Sequence, residues 1–196
     1  MPSITSLASS PFAAGRPTGL NQWAGRVAVV ILGSSLLWAS AKIQVPFWPV
    51  PMTIQTYVVL MLGALFGWRL GAATMITYLA EGALGLPVFA GTPANGIGLA
   101  YMAGPTGGYL AGYVVAVVVV GMLAARGWTR SALRSTATLL VGELAILGLG
   151  CGWLAVQFGW NKAFALGVAP FLAGDALKLI LAVATVFYVG RQAVQE

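Results

Sequence analysis

Long apolar runs, separated by short stretches rich in polar residues, glycine or proline, set the pattern of this chain. Runs such as 27–37, 110–123 and 177–187 are apolar on every side and lack the strict alternation of a membrane β-strand. Lipid offers the backbone no hydrogen bonds, so a spanning segment must satisfy its own amides as a helix or within a closed barrel. The pattern therefore predicts an all-α membrane protein.

Six segments approach the length of about 20 apolar helical residues that is needed to cross the hydrocarbon core. The second and third are short, so this pair could instead tilt or cross only part of the bilayer. The sixth opens at a proline, a residue favoured at the first helical position. We predict one membrane domain over residues 23–191, after a disordered cytoplasmic leader at 1–22. The six predicted transmembrane helices are 23–41, 53–68, 70–86, 107–125, 133–156 and 170–189.

The basic residues predict the orientation of these spans. If the amino terminus is cytoplasmic, seven arginines fall at cytoplasmic ends and only Lys42 and Lys162 at outer ends, while Lys178 lies inside a span. This excess agrees with the positive-inside rule and places both the N- and C-termini in the cytoplasm. Arg69, between the two short helices, falls inside only if both of them cross. The seven arginines are Arg16, Arg26, Arg69, Arg126, Arg130, Arg134 and Arg191.

Two irregular loops, 42–52 and 87–106, fall on the outer side in this topology. Loops of this length in a compact protein are usually functional or disordered. Both contain aromatic and apolar residues, among them Phe47, Trp48 and Tyr101, which argues against disorder. We therefore predict that they fold as outer loops capping a ligand pocket.

Composition narrows the function. Hydrophobic residues make up 59% of the chain and charged residues only 7%, against about 25% charged in a soluble domain. The net charge of +6 does not indicate nucleic acid, because no basic stretch is interleaved with aromatics. Histidine is absent and Cys151 is the single cysteine, so a metal site or an activated nucleophile lacks its usual residues. The chain also has no P-loop motif for ATP hydrolysis, and we predict no catalytic, metal or cofactor site.

Few residues within the spans could carry polar chemistry. A charge at the centre of a membrane helix costs about 2.5–3.5 kcal/mol and is a functional hypothesis by default. Asp175 and Lys178 are three apart in the sixth span, within reach of each other or of a common ligand. They could form a self-neutralising ion pair, or both could point into a pocket near the outer end. Glu143 is assigned a structural role, paired with Lys178 or protonated, and Glu81 is explained by interfacial exposure.

Three short segments carry a more specific signal. They are Val50-Pro-Met-Thr-Ile-Gln-Thr56, then Gly85-Leu-Pro-Val-Phe-Ala-Gly91 together with Gly104-Pro-Thr-Gly-Gly-Tyr109, and finally Pro170-Phe-Leu-Ala-Gly-Asp-Ala-Leu-Lys178. In combination and in order they resemble the BioY family, the biotin-specific substrate-binding (S) components of energy-coupling-factor (ECF) transporters. The resemblance extends over roughly residues 25–190. Between Gly91 and Gly104 the family is usually glycine-rich, whereas this chain has Thr92-Pro-Ala-Asn95, and Asn95 is our candidate loop contact.

The resemblance implies a six-helix S component that holds its vitamin near the outer surface, under the first and third loops, without enzymatic activity. It implies as partners a transmembrane coupling protein and two cytoplasmic ATPases, besides biotin and the lipids of a bacterial inner (plasma) membrane. Two alternatives stay open: an S component for another vitamin, such as thiamine or riboflavin, and a pore or structural membrane subunit. Whether the chain forms a homo-oligomer, or transports without the ATPases, also stays open.

The ligand that the family implies matches the polar residues of the chain. Biotin has a ureido head with two N–H donors and one carbonyl acceptor, so an ionised Asp175 could accept from an N–H and Lys178 could donate to the carbonyl. Its sulfur-containing ring suits an aromatic wall, and its carboxylate needs donors from the loops. The candidates are Phe89 and Tyr109 for the wall, and Asn95, Gln55, Thr92 or the amides of the glycine-rich loop for the carboxylate.

Overall fold

The computed structural model describes residues 20–45 and 49–192. Helices dominate these residues, and two short strands form an antiparallel hairpin. The predicted leader, residues 1–22, lies outside the described part except for its last three residues, which begin the first helix. In chain order the elements are α1 (Leu20–Lys42), β1 (Gln44–Val45), β2 (Met52–Thr53), α2 (Gln55–Met61), a π-helical turn (Leu62–Phe66), α3 (Gly67–Ala83), α4 (Gly98–Ala103), α5 (Gly107–Ala125), a 3₁₀ turn (Trp128–Arg130), α6 (Ala132–Phe158), α7 (Trp160–Gly167) and α8 (Leu172–Gln192).

Five helical stretches of the described chain are long and apolar enough to cross a membrane. Their outward-facing side chains include large apolar ones, such as Leu32, Leu177 and Ile180, which a surface facing lipid requires. The prediction of an all-helical, multi-pass membrane protein is therefore confirmed. The five stretches are Gln22–Lys42, Gln55–Ala83, Gly107–Ala125, Ala132–Phe158 and Leu172–Val189.

The second of these stretches is a hairpin rather than a straight helix. The chain turns at Gly67, whose φ of +75° lies in the region that favours glycine. A Cβ placed on Gly71 would lie 3.2 Å from the carbonyl oxygen of Leu62. In an uninterrupted helix, the nine steps from residue 62 to residue 71 would separate them by about 13.5 Å. The helices predicted at 53–68 and 70–86 are therefore two antiparallel arms, α2 with its π-helical turn and α3.

Close packing of α5 against α6 forms the centre of the bundle. The observed α5 has the predicted bounds, whereas α6 extends one residue before and two residues beyond the predicted 133–156. A Cβ on Gly112 would lie 2.8 Å from the Cα of Ile146, so the two backbones touch only because this residue has no side chain. The amino end of α6 is capped by Ser131, whose hydroxyl accepts a hydrogen bond from the backbone N–H of Arg134 at 3.4 Å.

The structure corrects three details of the predicted elements. Helix α8 begins at Leu172, not at Pro170, because residues 168–171 form a turn after α7. Helix α7 itself was not predicted, since its eight residues are too few for a span and Gly159, with a φ of +83°, separates it from α6. The predicted irregular loops are also partly regular, because 42–52 contains strands of the β-hairpin and 87–106 contains α4.

Candidate ligand-binding site

A pocket lies among α2, α3, α5, α6 and α8, and is closed by the β-hairpin and the segment that follows α3. Its lining combines aromatic rings with a small group of polar side chains, the arrangement expected of a small-molecule site. The aromatic residues are Tyr78, Phe89, Tyr101, Tyr109, Tyr113 and Phe171. The polar residues are Thr53, Gln55, Thr56, Thr106, Asp175 and Lys178.

Asp175 and Lys178 were expected either to pair with each other or to point into a pocket, and in the structure they do both. They form an ion pair, with Lys178 Nζ 2.5 Å from Asp175 Oδ1, and both line the pocket. Their side chains are only 6% and 12% exposed, respectively, so the pair is largely removed from solvent and lipid. Both residues stand on the first two turns of α8, and the i, i+3 spacing brings their side chains together.

Lys178 is also held by residues from far along the sequence. Its ammonium group donates to the carbonyl oxygen of Thr53 at 3.0 Å and to Thr56 Oγ1 at 2.8 Å. A lysine has three N–H donors, and these hydrogen bonds use two of them, while the ammonium group also forms its ion pair with Asp175. The carboxylate of Asp175 has several lone pairs and can accept a further bond while it stays paired with Lys178.

Glu143 lies close to this pair but not in the lining of the pocket. It is buried on α6, it interacts electrostatically with Asp175 and Lys178, and neither carboxyl oxygen has a well-formed hydrogen bond. Of the two alternatives for Glu143, a direct ion pair with Lys178 is not formed, because Lys178 pairs with Asp175 and no carboxyl oxygen of Glu143 lies within ion-pair distance of it. Two carboxyl groups thus face one ammonium group, and the cluster is neutral only when one carboxyl carries a proton.

Glu81 has a more specific contact than interfacial exposure. It is half-buried at the end of α3, where it accepts a hydrogen bond from the hydroxyl of the buried Ser34 on α1. The carboxylate therefore joins two helices, and its exposure alone does not explain it.

The aromatic wall is built from interlocking rings. Phe89 stacks on Tyr101 with ring centroids 4.9 Å apart, and meets Tyr78 edge to face at 5.4 Å. On the opposite side Tyr109 lies 6.3 Å from Phe171, and its hydroxyl donates to the carbonyl oxygen of Gly167. Phe89 and Tyr109 were predicted as wall residues, and the structure places both in the pocket.

Several lining residues were missed by reasoning from the sequence. Tyr78 lies within an apolar run, where a buried hydroxyl requires a hydrogen-bond partner. That requirement is the one feature of the sequence that could have indicated a special role for Tyr78. The hydroxyl donates to the carbonyl oxygen of Val88 at 3.0 Å. Tyr101 donates to the carbonyl oxygen of Ala90 at 2.8 Å, and burial raises the pKa of Tyr101, so this hydroxyl stays a neutral donor.

The three residues proposed for the ligand's carboxylate lie in different places. Gln55 lines the pocket, and its amide nitrogen donates to the carbonyl oxygen of Leu37 at 3.3 Å. Asn95 is exposed and lines a separate, more open cleft that shares Pro51, Tyr101 and Thr106 with the pocket. The hydroxyl of Thr92 donates to the carbonyl oxygen of Phe89 at 2.6 Å and accepts from Lys42 at 3.0 Å. The structure thus brings Gln55 to the predicted site but leaves Asn95 at its mouth.

A helical membrane bundle with an aromatic pocket around a buried ion pair defines the class as a small-molecule-binding membrane protein. The sequence model of the BioY family matches residues 12–195, and the chain belongs to the BioY family. Members of this family are transporters and not enzymes.

Two relatives show the extent of the similarity. A probable biotin transporter BioY of Pyrococcus horikoshii is 40% identical over 160 residues, which cover 82% of this chain and 93% of that protein. The biotin transporter BioY of Thermotoga maritima is 34% identical over 154 residues, covering 76% and 86%. The crystal structure at 2.1 Å of the S-component for biotin from an ECF-type ABC transporter has the same fold. Its TM-score is 0.75 at 24% identity, with 89% of this chain and 95% of that chain covered.

Proposed function

We propose that this chain captures biotin in the pocket around Asp175 and Lys178, as the substrate-binding subunit of an ECF-type vitamin transporter. The observation that carries the proposal is the buried ion pair facing an aromatic pocket in a member of the BioY family. A charge pair that served only to neutralise itself would not need to line a cavity. A ligand with a polar head and an apolar body accounts for both parts of the lining.

The chemistry of biotin matches this lining group by group. A ureido N–H donates to the carboxylate of Asp175, and such charge-assisted bonds contribute about 1.5–3 kcal/mol. The ureido carbonyl accepts from Lys178 once the ligand takes the place of Thr53 or Thr56 on its ammonium group. The fused ring packs between Phe89 and Tyr109. The valeryl chain then points to the open cleft, where Asn95 is the proposed partner of its carboxylate.

Energy for uptake is proposed to come from other proteins. The chain has no P-loop, so it cannot hydrolyse ATP by that route. The expected partners are a transmembrane coupling protein and two cytoplasmic ATPases in a bacterial plasma membrane. Exposed apolar residues of α1, such as Trp23 and Leu32, are available to lipid or to a coupling protein.

Biotin is expected to bind the purified, detergent-solubilised protein saturably, with one molecule per chain. Binding is measured by equilibrium dialysis with labelled biotin, in competition with unlabelled biotin, thiamine and riboflavin. Unlabelled biotin should displace the label, and the other vitamins should not, because neither has a ring carbonyl flanked by two N–H donors. Displacement by thiamine or riboflavin would favour an S component for another vitamin. Ion conductance in liposomes without saturable vitamin binding would favour a pore.

The proposed topology has six crossings, both termini in the cytoplasm and the pocket facing outward. We expect this to be visible in single-cysteine variants that carry Cys151→Ser. In intact cells a membrane-impermeant maleimide should label Lys162→Cys, near the outer end of α6. It should leave Arg130→Cys and Arg69→Cys unlabelled until the membrane is permeabilised. All three positions are exposed, so failure to label reports sidedness rather than burial. Labelling of Arg69→Cys from outside would contradict full crossing by the hairpin of α2 and α3.

A further inference from the structure

The cap segment, residues 88–92, is irregular, and its carbonyl groups are held by side chains from other parts of the chain. Such a segment has no helix or sheet to satisfy its backbone, so each carbonyl needs another partner. The hydroxyl of Tyr78 on α3 reaches the carbonyl oxygen of Val88, and that of Tyr101 on α4 reaches the carbonyl oxygen of Ala90. Both tyrosines also line the pocket, and their contacts hold the cap from within it.

Lys42, the last residue of α1, holds the same segment from outside the pocket. Its ammonium group donates to the carbonyl oxygen of Phe89 at 3.0 Å, the carbonyl oxygen of Thr92 at 3.1 Å and Thr92 Oγ1 at 3.0 Å. These contacts use all three donors of the lysine, and the described residues offer it no ion pair. Although Lys42 is an exposed side chain, its polar contacts thus all go to the cap.

The hydrogen bond from Lys42 to Phe89 is important because the ring of Phe89 is part of the pocket wall. The ring is 1% exposed, stacks on Tyr101 and fits against Gly82 so closely that a Cβ there would overlap it. A ligand that leaves the pocket past the cap must displace this ring and the carbonyl behind it. Lys42 is not among the lining residues, so its replacement takes no side chain out of the pocket wall.

We infer that Lys42 is a positioning residue: its hydrogen bonds hold the cap over the pocket and so limit the rate at which a bound ligand dissociates. For the identity of the ligand the inference rests on the proposed function, with biotin as the probe. The hydrogen bonds between Lys42 and the cap are a property of the protein without ligand. The role of Lys42 and the identity of the ligand can therefore be tested separately.

The test compares Lys42→Met with wild type, with Lys162→Met as the matched control and Lys42→Arg as the conservative variant. Methionine keeps an unbranched apolar side chain but removes the three donors, whereas Lys162 is an exposed lysine on α7, away from the cap. In the ligand-free protein we expect faster hydrogen exchange of the Thr92, Asn95 and Gly96 amides in Lys42→Met alone. Biotin dissociation, followed by chase with unlabelled biotin, should be about tenfold faster in this variant. Lys42→Arg should restore most of the slow dissociation.

The outcomes distinguish the role of Lys42 from the proposed function. Unchanged amide exchange and an unchanged dissociation rate in Lys42→Met would overturn the inference even if wild type binds biotin tightly. A slower association rate with normal dissociation would also overturn it, because Lys42 would then only attract the anionic carboxylate. If wild type binds no biotin, the proposed function fails, while the exchange comparison still decides whether Lys42 holds the cap.

Discussion

Replacing Asp175 by asparagine is expected to weaken biotin binding about ten- to 150-fold. The substitution keeps the shape of the side chain but removes the charge that would accept from the ureido N–H, a bond worth about 1.5–3 kcal/mol. It also breaks the buried ion pair of Lys178 and leaves Glu143 as the remaining carboxyl group near this ammonium, so folding stability should fall by less than the about 3–5 kcal/mol of a fully unpaired buried charge. Isothermal titration calorimetry with biotin measures the first effect, and thermal unfolding in detergent measures the second.

The double variant Asp175→Asn/Lys178→Met separates the two effects. It removes both charges, so the penalty of an unpaired lysine disappears and much of the lost stability should return. Biotin affinity should not return, because the charged acceptor is still absent. If Asp175→Asn alone binds biotin with wild-type affinity, Asp175 does not hold the ligand and the proposed site is wrong.

Gly150→Ala is expected to reduce both stability and biotin binding, although it adds only one methyl group. A Cβ at this position of α6 would overlap the ring of Tyr109, which lines the pocket. The ring cannot swing away freely because its hydroxyl is bound to the carbonyl oxygen of Gly167. Overpacking of this kind costs about 1–3 kcal/mol, and the displaced ring would narrow the pocket. Thermal unfolding and biotin titration on the purified variant measure the two losses.

Gly152→Ala provides the matched control on the same helix. Among the described residues, no atom beyond its chain neighbours and the adjacent backbone of its own helix lies within 4 Å of a Cβ built there, so the added methyl group meets open space. Alanine is also the better helix former, by up to about 1 kcal/mol in soluble helices. This variant should therefore keep both its unfolding temperature and its affinity. Equal behaviour of Gly150→Ala and Gly152→Ala would show that the contact of Tyr109 with α6 does not shape the pocket.

The sequence predicts the polar centre of the candidate site well because the relevant distance is local. Asp175 and Lys178 lie within one turn of one helix, so helical geometry alone brings them within reach of each other. It does not reveal that Lys178 is also bound to Thr53 and Thr56, 125 and 122 residues away. Those contacts depend on how β2 and α2 pack against α8, and they use two of the lysine's three donors.

The loop residues likewise include some that the sequence could predict and some that depend on distant contacts. The order of the glycine-rich segments, read through a family resemblance, led to Phe89, which the structure places in the wall. The choice of Asn95 could not be checked by any local rule, and the structure puts this residue at the exposed mouth rather than in the pocket. From the sequence, Lys42 indicates only the orientation of the first helix, because its hydrogen-bond partners lie 47 and 50 residues away.

The sequence by itself determined that this is a helical membrane protein, since lipid allows the backbone only helices or a closed barrel and the apolar runs lack the alternation of barrel strands. It also placed Asp175 and Lys178 within one helical turn, in reach of each other or of a common ligand. The tertiary structure alone decided the reversal at Gly67, the hydrogen bonds of Lys178 to Thr53 and Thr56, and the contacts of Lys42 with the cap. Hydrophobic periodicity reports which residues avoid water over a few turns. Contacts across tens of residues depend on the packing of whole helices, which no local pattern records.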